Sequence, residues 1–145
     1  MSTLYVSFKG NGNSANKIVR SLNGDKLFLT NSYNGLRKDI DNINGIYNSV
    51  YMFGLDKRLK GTVRIDCVAQ KGDVCLYSDM DSDSIATKLN KSGIITDLGN
   101  IPFQSLCNDA YWYMLRKYNG KVVFFHVPSI KYITENFIEK VKTVL

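Results

Sequence analysis

Residues 105–127 constrain the fold more than any other part of the chain. From Ser105 to Tyr118, apolar residues recur at helical spacing, and the run stops at Asn119-Gly120, a pair suited to the left-handed turn that closes a helix. The chain then passes through Val122-Val123-Phe124-Phe125 with no polar alternation. A strand this apolar has both faces covered, as in a parallel sheet packed between helices.

The same alternation extends to the rest of the chain. Residues 4–8 read as a strand, followed by the turn-rich loop Lys9-Gly10-Asn11-Gly12-Asn13 and a helix with Ser14 as its cap. A second strand at 27–29 precedes a helix at 33–43, and a third at 50–53 runs into Gly54. Residues 63–69 form a fourth strand, paired with 74–77 across Lys71-Gly72-Asp73. A helix at 82–90 stops near Gly93 and leads to a short strand at 94–96. A final helix places Ile130, Ile133, Phe137, Ile138, Val141, Val144 and Leu145 on one stripe. Strands alternating with helices predict an α/β protein, a three-layer α/β/α sandwich with a mostly parallel central sheet. With 145 residues, no internal repeat and no linker, the chain reads as a single domain over 1–145.

Several function classes drop out. No apolar run approaches the roughly 20 residues that span a bilayer, so no membrane partner is expected. The opening MSTLYVSFKG has no basic stretch before an apolar one, so no secretory signal is expected. Three cysteines, Cys67, Cys75 and Cys107, then read as reduced thiols of a cytoplasmic protein. The net charge of +6 is spread out apart from Lys57, Arg58, Lys60 and Arg64. That cluster reads as a solvated face, because nucleic-acid binders carry denser basic stripes with interleaved aromatics. Cys67 and Cys75 lie among strand residues and read as inert core thiols. No C-x-x-C or H-x-x-H pair is present, so neither a metal nor another cofactor is expected.

Two residues carry chemistry. His126, the one histidine, lies at the carboxyl end of the 122–127 strand, just before Val127-Pro128. Cys107 follows Ser105, an N-cap residue type, and falls in the first turn of a helix. There the helix dipole and unpaired amides lower a thiol's pKa and can stabilise an oxyanion. A Cys–His pair with a carboxylate behind the imidazole is the minimum for thiol acyl transfer. The same two residues also fit a buried core thiol and a structural histidine.

The local motifs resemble those of the pyroglutamyl peptidase I (pyrrolidone-carboxylate peptidase) family. Ser105-Leu106-Cys107-Asn108 resembles its V-C-N motif opening a helix, and Phe124-Phe125-His126-Val127-Pro128 its F-I-H-[VI]-P strand end. Ser7-Phe8 with the loop to Ser14 resembles the family's N-terminal G-F-x-P-F-G-G…N-P-S segment. Phe53-Gly54-Leu55 with Arg58 resembles its G-x-x-x-G-R stretch, and residues 64–70 resemble E-R-V-A-x-N, with Asp66 in the place of the acidic triad member. The resemblance implies the family's fold and a cysteine peptidase that removes an N-terminal pyroglutamyl, or similar small acyl, group. Cys107 would be the nucleophile, His126 the base and Asp66 its orienting carboxylate, one methylene shorter than the family's glutamate. Phe8, Asn13, Arg58, Phe103 and Leu106 would surround the substrate, a small peptide with a blocked N-terminus. The family's self-association makes a homo-oligomer an expectation too. Two alternatives remain: a member that has lost hydrolysis and serves as a binding or structural module, and an anion- or nucleic-acid-binding domain that uses Lys57, Arg58, Lys60 and Arg64.

Overall fold

The computed structural model describes residues 2–102 and 105–145. Its strands are β1 (Thr3–Phe8), β2 (Asp25–Leu29), β3 (Ser49–Leu55), β4 (Val63–Asp66), β5 (Val68–Lys71), β6 (Val74–Tyr77), β7 (Thr96–Gly99) and β8 (Val122–Val127). The helices are α1 (Ser14–Ser21), α2 (Tyr33–Asp41), α3 (Ser82–Lys91), α4 (Leu106–Lys117) and α5 (Glu135–Val144). Six strands form one sheet in the order β2-β1-β3-β8-β4-β7, while β5 and β6 pair as a separate antiparallel hairpin. Neighbours in the main sheet are parallel except β4 and β8, which run antiparallel.

Helices cover both faces, as the apolar β8 requires. Ile18 and Val19 of α1, Leu89 of α3 and Ile138 of α5 pack with Phe53 and Phe125 on one side. Leu36 of α2 and Tyr111 and Met114 of α4 pack with Met52 and Phe124 on the other. Successive β8 residues therefore serve opposite cores, the period-two logic of a strand. The α4 boundaries follow the local signals. The Ser105 side chain accepts from the Asn108 N–H, and beyond the helix Asn119 and Gly120 adopt φ of 52° and 82°.

Several boundaries differ from the sequence expectation, by one or two residues at β2, α2 and β3 and more substantially at four other places. Asn13, not Ser14, caps α1, accepting from the Asn16 N–H, while Ser14 is fully buried as the first helical residue. The 63–69 strand is two strands broken at Cys67, whose N–H donates to the Gly99 carbonyl where the chain leaves the main sheet for the hairpin. The strand expected at 94–96 begins only at Thr96, because the Asn90 side chain bonds both the N–H and the carbonyl of Thr96 and holds the preceding turn. The last helix begins at Glu135 behind a Thr134 cap, and residues 130–132 form a separate 3₁₀ turn that leaves Ile130 exposed. Cys75 is likewise exposed on β6 rather than buried in the core. Among the described residues, no helix is long and apolar enough to cross a membrane.

Candidate active site

The antiparallel contact of β4 with β8 builds the polar part of the site. Arg64 lies directly opposite His126, and Asp66 opposite Phe124. Asp66 and His126 are thus diagonal neighbours on one sheet face, within reach of each other's side chains. The Asp66 Oδ2 lies 2.5 Å from His126 Nδ1, and both residues are buried. The missing methylene therefore costs this contact nothing. The imidazole also packs on the Phe124 ring, with centroids 4.8 Å apart.

Helix α4 brings Cys107 to the same face. The Asn108 side chain fastens the first turn by donating to the Gln70 carbonyl and accepting from the Gln70 N–H, at 2.8 and 3.0 Å. One turn on, the Tyr111 hydroxyl donates to the Asp66 carbonyl at 2.7 Å. These bonds tie the helix to the strands that carry and follow Asp66. Space for the thiol comes from Gly54, where an added Cβ would lie 2.8 Å from Cys107 Sγ and 2.9 Å from the Phe124 ring. Cys107, Asp66 and His126 line one small recess with Val68, Pro102, Ser105, Asn108, Tyr111 and Phe124, of about 10 Å³. That is room for roughly one water. Among the described residues, Cys107 Sγ makes no hydrogen bond, with His126 or any other group.

Electrostatics at the thiol oppose the sequence expectation of ready ionisation. Burial pushes the Cys107 pKa up to about 12, and the carboxylates of Asp66 and Asp56 push the same way, with Arg64 opposing. Desolvation thus outweighs the helix N-terminus. The resting thiol is protonated at neutral pH.

The expected substrate-binding residues are not gathered here. Phe8 is buried in the core with Leu29 and Leu36, Asn13 is committed to capping α1, and Leu106 packs against the α2–α4 core. Arg58 folds back on Asp56, with its N–H and Nε both on Oδ1 at 3.0 Å and an Nη on Oδ2 at 2.9 Å. None of these four lines the recess, and Phe103 lies outside the described residues. Conversely, Arg64 does not belong to the solvated cluster expected for it. Its side chain is only 17% exposed and bonds Asp66 and Asp56. Asp56 went unnoticed in the sequence, and its one local signal was an acid beside a run of bases. The Arg58 side chain holds the Asp56 carboxyl well below the usual carboxylate range. Among the described residues, no group of three or more His, Cys, Asp or Glu converges as a metal site would require.

No family model and no curated protein matches the chain by sequence. Its structure is similar to pyrrolidone carboxyl peptidase from Thermus thermophilus, with a TM-score of 0.84 at 13% identity over 98% of this chain and 96% of that one. The enzyme from Fervidobacterium islandicum AW-1 gives 0.81 at 18% identity over 99% and 96%. That from Thermococcus litoralis gives 0.77 at 14% identity over 99% and 90%. At such identities the likeness speaks for architecture: the chain has the fold of the pyrrolidone carboxyl peptidases.

Proposed function

We propose that this chain is a cysteine hydrolase that releases a pyroglutamyl, or similar small lactam or acyl, group from the N-terminus of a peptide. The observation that carries the reading is the buried Asp66–His126 bond in one recess with Cys107, at the N-terminus of a helix. With Nδ1–H donated to Asp66, Nε2 is the basic nitrogen. Because the resting thiol is neutral, attack and proton transfer go together. Cys107 Sγ bonds to the carbonyl carbon as its proton passes to His126. The amides of Leu106 and Cys107, which precede the Asn108 N–H that Ser105 caps, receive the oxyanion. Collapse breaks the C–N bond, and the amine leaves with the proton from His126. Water, deprotonated by His126, then hydrolyses the thioester and returns the proton to the thiol. No cofactor enters the cycle. The recess has room for about one water, less than a five-membered ring occupies.

One observation favours the module without hydrolysis: among the described residues, Cys107 Sγ makes no bond to His126. The test separates the two. Wild type, Cys107→Ala and Asp66→Asn are assayed on a pyroglutamyl amide with a prolyl amide as control. Release from the first substrate only, abolished by Cys107→Ala and reduced about 10⁴-fold by Asp66→Asn, is expected. No release by the wild type overturns the hydrolase reading.

A further inference from the structure

We infer that Arg64, anchored by Asp56, is a positioning residue that holds the Asp66 carboxylate on His126. The inference deepens the hydrolase reading and rests on it. An aspartate reaches His126 by a short side chain whose carboxylate still rotates about its last bond. Here each oxygen has a separate partner. Oδ2 takes His126 Nδ1, and Oδ1 takes Arg64 Nε at 2.8 Å. With both oxygens engaged, rotation breaks one charge-assisted bond for every bond it keeps.

The clamp is itself held. Arg64 Nη1 donates to Asp56 Oδ2 at 3.1 Å, so the guanidinium bridges two carboxylates. Asp56 is fixed in turn by its three bonds from Arg58 and by its own N–H on the Val127 carbonyl, next to His126 in β8. Burial disfavours the charge on Arg64, yet its bonds to Asp66 and Asp56 outweigh that and raise its pKa. The chain of contacts therefore runs from the exposed Arg58 through Asp56, Arg64 and Asp66 to the imidazole. Gly99 keeps the space open, since a Cβ there would lie 2.5 Å from Asp66 Oδ1 and 3.0 Å from Arg64 Cδ. Backbone geometry makes the arrangement stiff. Arg64 and Asp66 are two apart on one strand, hence on one face, with Arg64 directly across from His126. A lysine would not reproduce it, because a single ammonium lacks the planar fork that spans two carboxylates.

The test uses the fact that His126 is the sole histidine, so its ring N–H proton gives one assignable downfield NMR signal. That signal is expected in the wild type, absent in Asp66→Asn, and broadened or lost in a folded Arg64→Met. In the pyroglutamyl amide assay, Arg64→Met is expected to lower kcat about tenfold to a hundredfold with KM unchanged. In the Asp66→Asn background the same change should alter kcat less than about twofold, since Arg64 acts through Asp66. A retained His126 signal in folded Arg64→Met, or an equal loss of kcat in both backgrounds, overturns the inference. Should the wild type hydrolyse nothing, the hydrolase reading fails, and the NMR signal alone decides the clamp. If Arg64→Met does not fold, Asp56→Asn takes its place, because it removes the anchor and leaves Arg64 facing Asp66. Broadening of the His126 signal then supports the inference and an unchanged signal overturns it.

Discussion

β8 has two neighbours that treat it in opposite ways. On one side β3 runs parallel to it, pairing Val50–Leu55 with Val122–Val127, and Phe53 stacks on Phe125 at a centroid distance of 4.9 Å. On the other side β4 meets it antiparallel for only three pairs and brings Arg64 and Asp66 to His126 and Phe124. The long apolar pairing sets where β8 sits, through burial that has no direction and tolerates repacking. The short charged pairing sets what the end of β8 can do, and it depends on every partner being present. Stability and chemistry are thus divided between the two sides of one strand.

Breaking the apolar side tests that division most strongly. Phe53→Ala is expected to cost about 3–5 kcal/mol in urea denaturation, while the folded fraction keeps its His126 signal and whatever hydrolysis the wild type shows. A loss below about 1 kcal/mol would show that β3 does not carry β8. Gly54→Ala probes the point where the two sides meet. Its Cβ would press on Cys107 Sγ and the Phe124 ring, and about 1–3 kcal/mol of stability is expected to go with it. Hydrolysis should fall further than that loss of stability explains, since the thiol itself is displaced; unchanged turnover would contradict the placement of Cys107.

The smallest effect is a pH dependence. The Cys107 pKa is raised in the folded chain to about 12 by burial and the nearby carboxylates, whereas the unfolded thiol titrates near its ordinary value of about 8.5. The folded state holds the proton more tightly, so this contribution is complete below the unfolded pKa and is lost as pH rises toward the folded one. Denaturation in reductant between about pH 9 and 11 should show stability falling by at most about 1.4 kcal/mol per pH unit from this group, with Cys107→Ala flattening the slope. At neutral pH the exposed Cys75 is accordingly expected to alkylate before Cys107. Fast labelling of Cys107 in the free protein would reverse that assignment.

The order and type of the elements were legible because they depend on local periodicity and on caps a few residues long. Ser105, Asn119 and Gly120 mark α4 in the sequence as they do in the structure. Cys107 and His126 were legible for the same reason, being set by a helix start and a strand end. Asp66 was placed by its resemblance to a motif. The strand-end rule would not have brought it to His126, since β4 runs against β8 and its carboxyl end faces the other way.

The sequence by itself determined the alternation of strands and helices, the apolar β8 and the residue types available to the site. Tertiary structure alone decided the break at Cys67, the direction of β4, and the transfer of Arg64 from an apparent surface cluster to a half-buried clamp. It also reversed the state of the thiol. A helix N-terminus, read locally, favours the thiolate, but enclosure beside Asp66 and Asp56 favours the thiol. Pairing direction and desolvation arise from residues far apart in the chain, so they leave no mark on any short window of it.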